Sequence, residues 1–81
     1  MTDQPPMRTY ADSAGTSGIE AYAVGPDHID IAFRSGGTYR YSLDSVGEER
    51  LATMIELAEA GSGLNTYINQ HVREDYEARL S

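Results

Sequence analysis

Two short runs of alternating residues, "HIDIAFR" at 28–34 and "TYRYSL" at 38–43, flank Ser35, Gly36 and Gly37, and this arrangement restricts the fold more than any other feature of the chain. Successive side chains of a strand point to opposite faces, so Ile29, Ile31 and Phe33 share one side of the first run. Tyr39, Tyr41 and Leu43 share one side of the second. Glycines between two such runs favour a β-hairpin, and the loop length decides which faces meet. A two-residue Gly36-Gly37 loop pairs Phe33 with Arg40 and Ile31 with Ser42, apolar against polar. A three-residue loop over Ser35, Gly36 and Gly37 pairs Arg34 with Thr38, Phe33 with Tyr39 and Ile31 with Tyr41, which gathers the large apolar groups on one side. That second register is the one expected, with Gly37 in the left-handed conformation of a bulged loop.

The segments on either side extend the pattern. In "GIEAYAVG" at 18–25, Ile19, Ala21 and Ala23 alternate with Glu20, Tyr22 and Val24, which predicts a further strand with Tyr22 and Val24 on the outer face, ended by a turn at Pro26 and Asp27. Downstream, "SVGE" at 45–48 fits a capping box with Ser45 as N-cap and Glu48 reaching back. Leu51, Met54, Ile55 and Ala58 follow at helical spacing, Glu48 and Glu49 suit the positive end of the helix dipole, and Gly61 ends the helix. A second helix is predicted to begin near 62–65, to carry Leu64, Tyr67, Ile68, His71 and Val72 on one stripe, and to end near Tyr76. Strands followed by helices, in runs rather than alternation, predict an α+β fold: a three-stranded antiparallel β-meander followed by two α-helices packed on one sheet face. Residues 1–16, with Pro5, Pro6, Asp12, Ser13 and Gly15, offer no apolar period and read as a flexible N-terminal tail, leaving 17–81 as a single domain.

Composition narrows the function classes. With 81 residues the chain buries only about 60% of its unfolded surface, so the core is thin. No apolar run approaches the ~20 residues of a membrane span, and the first residues lack the apolar segment of a signal peptide, so a cytoplasmic setting is expected. The absence of cysteine removes disulfides, thiolate chemistry and zinc-finger spacing. A net charge of −7 repels phosphate backbones and acidic membranes at long range. The six basic residues are all arginine (Arg8, Arg34, Arg40, Arg50, Arg73 and Arg79), which suits directed contacts to carboxylate, phosphate or aromatic faces better than a non-specific coat.

Three segments together give a family resemblance: the strand "IEAYAVG", the hairpin "IDIAFRSGGTYRY" with its central Tyr-x-Tyr, and "YINQHVR" with its Asn-x-x-apolar-basic ending. In order and spacing, from about Ser17 to Tyr76, they resemble the KTSC domain, a small module found at the C-terminus of some lysyl-tRNA synthetases and alone in bacterial proteins. Tyr39 and Tyr41 match the family's tyrosine pair, and Asn69, Val72 and Arg73 match its tail. The chain departs from the pattern in having Gly63-Leu64-Asn65 where the family shows Ser-x-Gly, and in the acidic Glu74, Asp75 and Glu77 of its last segment. The resemblance implies a small bacterial domain, and the synthetase setting suggests RNA as a partner.

Tyr39 and Tyr41 invite comparison with base-stacking platforms, but hairpin parity sets them beside Ile29, Ile31 and Phe33, and a domain this small needs that face for its core. Phe33, Tyr39 and Tyr41 are therefore expected to be structural aromatics. Arg34 and Arg40, on the opposite face near the hairpin tip, together with Asn69 and Arg73 in the last helix, are the candidate binding residues. His71 and Asp75 stand four apart without a third ligand, so no metal site is expected. Adjacent carboxylates such as Glu48 and Glu49 diverge on a helix, and the Ser-Gly pairs lack a strand-to-helix nucleophile elbow, so no catalytic residue and no cofactor are expected. The sequence thus points to a non-catalytic interaction module that binds a protein partner or itself through a strand edge, away from membranes. The alternative is an RNA- or tRNA-binding module using Arg34, Arg40 and Arg73.

Overall fold

The computed structural model describes residues 7–11 and 18–80. Five antiparallel strands form one sheet in chain order: β1 (Arg8–Thr9), β2 (Ile19–Val24), β3 (His28–Phe33), β4 (Thr38–Ser42) and β5 (Ala78–Arg79). Between β4 and β5 lie α1 (Leu43–Val46), α2 (Glu48–Ala60) and α3 (Leu64–Tyr67), the last continuing as a π-helix over Ile68–Val72. The architecture is α+β, and the three expected strands form the centre of the meander. Two short strands, however, add to its edges. β1 comes from the stretch read as a tail: Arg8 pairs with Tyr22 and Thr9 with Ala21, and the next residue, Tyr10, is fully buried. One aromatic anchor orders residues 7–11 where no periodicity announces it, while the rest of that stretch lies outside the described residues.

The hairpin keeps the expected parity in a different register. Ile31 pairs with Tyr39, Asp30 with Arg40 and Ile29 with Tyr41, two residues away from the predicted pairing. The loop is three residues long but comprises 34–36, closed by the Phe33 N–H donating to the Gly37 carbonyl (3.1 Å) and the Gly36 N–H to the Phe33 carbonyl (3.0 Å). Gly36 and Gly37 both have positive φ (111° and 89°), so the left-handed position moves back by one residue without a steric penalty. A shift of two preserves faces, and Ile29, Ile31 and Tyr41 remain buried together.

The expectation for β2 fails on one face. The β2–β3 register slips by one between Ile19 and Ala21, making Glu20 the extra residue of a β-bulge. Parity reverses there. Ile19 lies opposite Phe33, yet Tyr22 lies opposite Ile31, so Ile19 and Tyr22 both enter the core, and Tyr22 is not an outer-face residue. Val24, opposite Ile29 at the strand end, stays partly exposed. Small and polar groups fill the other sheet face, among them Ala21, Ala23, Asp30 and Arg40.

The helices cover the core face. Leu51, Met54 and Ala58 of α2, then Leu64, Ile68 and Val72 of the last helical segment, join Ile19, Ile29, Ile31 and Tyr41 in one buried cluster. The capping box stands three residues earlier than expected. Ser42 caps α1, its Oγ accepting from the Ser45 N–H (3.2 Å) while the Ser42 N–H donates to Ser45 Oγ (2.9 Å). The helix therefore begins at Leu43, which turns out to solvent instead of extending the β4 stripe, and α2 starts after Gly47 without a side-chain cap. Gly61 ends α2 in a left-handed cap (φ 72°), with its N–H on the Ala58 carbonyl (3.2 Å) and the Ser62 N–H on that of Leu57 (3.4 Å), a Schellman arrangement. Among the described residues no helix is long and apolar enough to cross a membrane.

The N-terminal strap ties the layers together, because Tyr10 Oη accepts from the Leu64 N–H at the start of α3 (3.2 Å), 54 residues away. Tyr10→Phe orphans that buried donor and is expected to cost about 1 kcal/mol. Gly61→Ala forces a left-handed backbone and drives its methyl into Ala11 Cβ, for a loss of about 2 kcal/mol. Urea denaturation of both variants against the parent chain checks these losses.

Candidate functional site

Alternation along β4 sends Tyr39 and Tyr41 toward the helices and Arg40 to the opposite face. There Arg40 is already engaged: Nε donates to Asp30 Oδ1 at 2.8 Å and Nη2 to Oδ2 at 3.0 Å, a bidentate pair across the ladder. Asp30 is buried (2% exposed) despite lying on the face without helices. Its hydrogen bonds, ahead of its charge, raise the Arg40 pKa above the ordinary value against an opposing effect of burial. Beside it, His28 Nδ1 lies 3.1 Å from Asp27 Oδ1, and Nε2 lies 3.9 Å from Asp30 Oδ2. Nε2 is buried without a hydrogen-bond partner. His28 opens β3, and its two-residue spacing from Asp30 puts both on one side of that strand.

The other face carries a concave site. Asn69 and Arg73 come together with Phe33, Tyr39 and Tyr41 around a pocket of about 360 Å³, completed by Ser35, Ile68 and Tyr76. The π-helical turns explain how. Ile68 and Val72 are buried as anchors, and Asn69 and Arg73, each one position later, stand at the rim. A π-helical segment adds residues per turn and commonly marks functional positions. The helix ends there, earlier than predicted, so Tyr76 is free of it and folds back as a separate wall. Tyr76 meets Tyr39 at 4.7 Å and Tyr41 at 6.3 Å between centroids, and Phe33 meets Tyr39 at 5.7 Å, all edge to face.

The two tyrosines of the hairpin divide their roles. Tyr41 is buried, and burial first, then Tyr39 and Tyr76, pushes its pKa up to about 12. Tyr39 is half-buried at the pocket margin, with the Arg79 guanidinium 5.5 Å from its ring centroid. Among the described residues, Arg73 is the single charged side chain of the lining, and no acid lines the pocket. Among the described residues, the Asn69 and Arg73 side chains have no hydrogen-bond or ion-pair partner. Arg34 is exposed in the hairpin loop, so the four candidate binding residues do not converge: Asn69 and Arg73 share the pocket, Arg40 faces away, and Arg34 stands at the tip. His71 lies against the Tyr67 ring (4.6 Å), and among the described residues no group of three or more His, Asp or Glu could hold a metal ion.

Two outcomes follow from these environments. Arg40→Ala leaves the Asp30 carboxylate buried without its cation and is expected to cost about 3 kcal/mol in urea denaturation. In the unfolded chain Tyr41 ionises near pH 10. The stability it lends is therefore intact below about pH 10 and is lost as pH rises toward the folded value of about 12. Urea midpoints followed up to high pH are expected to fall less steeply for Tyr41→Phe than for the parent chain. Comparison with protein-family models, with curated proteins and with solved structures gives no match to this chain.

Proposed function

We propose that the protein is a non-catalytic interaction module that receives part of a protein partner in the pocket between the hairpin and the last helix. One observation carries this reading: three separate segments of the chain deliver aromatic walls, an amide and a guanidinium to one cavity, and the two polar groups at its rim have no partner among the described residues. An arrangement that leaves strong donors waiting beside apolar surface suits recognition. The residues behind the resemblance to the KTSC domain support it too. Tyr39, Tyr41, Asn69 and Arg73 all line this cavity, so membership of that domain and a cytoplasmic setting are proposed together with the site.

Other features weigh against the rival readings. Self-association through a strand edge would use β2 or β4, but β1 pairs with the first and β5 with the second. Chemistry at His28 is hindered because its unpartnered nitrogen is buried away from any substrate. RNA binding through Arg34, Arg40 and Arg73 is disfavoured because Arg40 already neutralises Asp30 and faces away from Arg73.

Affinity capture from extracts of the source cells, using the parent chain and Arg73→Ala, tests the proposal. Proteins retained by the parent chain are expected to fall about tenfold with Arg73→Ala and to survive ribonuclease. Retention that ribonuclease abolishes, and that drops steeply with salt, supports the RNA reading instead. Equal retention by both chains removes the pocket as the contact site.

A further inference from the structure

The charge inventory of the pocket narrows what it takes. Arg73 supplies one positive charge, and among the described residues no acid is in the lining. A guanidinium presents a planar fork that meets a carboxylate through two parallel hydrogen bonds. Asn69 adds an amide on the same helical rim, and Tyr41 adds a phenol held in its protonated form, pKa about 12, at neutral pH. One cation with neutral donors balances one negative charge. A phosphate monoester brings about −1.5 to −2 at neutral pH, which leaves an excess beside a chain already at −7.

The walls define the remainder of the ligand. Tyr39 meets both Phe33 and Tyr76 edge to face, and an entering ring can continue the same pattern. A volume near 360 Å³ sits at the small end of ligand pockets, enough for one ring-bearing residue and too little for a stretch of chain.

We infer that the pocket recognises a monocarboxylate carried beside an aromatic ring, with Arg73 pairing the carboxylate, Asn69 hydrogen-bonding next to it, and the ring entering against Tyr39 and Tyr76. This inference rests on the pocket being the interaction site and specifies the chemistry it accepts. Two sources supply such a group: the C-terminal residue of a partner chain, and a free aromatic acid.

Amide-resolved NMR titration of the full chain, backed by calorimetry, tests it with defined probes. These are N-acetylphenylalanine, its carboxamide, phenyl phosphate, and a short peptide ending in phenylalanine with a free or an amidated terminus. The free acids are expected to shift residues around the pocket and to bind about tenfold more tightly than their amides. Arg73→Ala is expected to remove that preference, Arg73→Lys to keep part of it, and Arg50→Ala, on the exposed side of α2, to change nothing. Equal binding of acid and amide, tighter binding of phenyl phosphate, an undiminished preference in Arg73→Ala, or no shift with any probe at millimolar concentration overturns the inference. The two readings separate cleanly. Free and amidated peptides binding equally well at the pocket refute the carboxylate and leave the interaction module standing. N-acetylphenylalanine binding as tightly as the peptide upholds the carboxylate and refutes a protein partner.

Discussion

Burial of one side of the central hairpin governs the rest of the molecule. Ile29, Ile31 and Tyr41 are removed from water in the same cluster as Met54, Leu64, Ile68 and Val72. In a chain of this size there is no second apolar surface to fall back on. The helices must lie on that face, and the opposite face is left to small and polar side chains. The bulge at Glu20 serves the same end: by reversing parity within β2 it delivers both Ile19 and Tyr22 to the one available core. The Asp30–Arg40 pair then satisfies the carboxylate that the uncovered face buries.

Much of this was legible in the sequence because strand parity is a strong signal. Alternation in the two hairpin runs identified the buried side, and the apolar pairing rule gave a three-residue loop. The rule did not fix where the loop sits, since pairing Ile31 with Tyr39 buries the same side as pairing it with Tyr41, and either glycine can take positive φ. The bulge left no trace, because Glu20 reads as an ordinary outward position. Ser45 fits the cap pattern in the sequence, but tertiary context ends the strand at Ser42, which caps the helix and turns Leu43 outward. A two-residue strand anchored by a lone Tyr10 cannot be told from a tail by composition.

The candidate site was legible residue by residue but not as a constellation. Asn69 and Arg73 stand out as polar groups next to the buried Ile68 and Val72, and the pocket does unite them with Phe33, Tyr39 and Tyr41. Arg40 looked displayed because its partner, ten residues earlier, becomes a neighbour only once the register is known. Tyr76 was read as the fraying end of a helix. The π-helical turns end that helix sooner and release Tyr76 to become a wall, a change that no 3.6-residue periodicity anticipates.

β5 closes the sheet beside β4 and fastens the end of the described chain. It is only two residues long, yet the Glu77 N–H donates to the Arg40 carbonyl and the Leu80 N–H to that of Thr38, both at 2.6 Å. These bonds hold the segment that follows Tyr76, and short, peripheral pairing of this kind sits at the low end of local unfolding free energies. Arg40 thus serves two sides at once, its guanidinium clamped to β3 while its carbonyl fastens the closing strand. The ion pair on one surface and the anchor of the segment that follows the Tyr76 wall on the other therefore share a single residue.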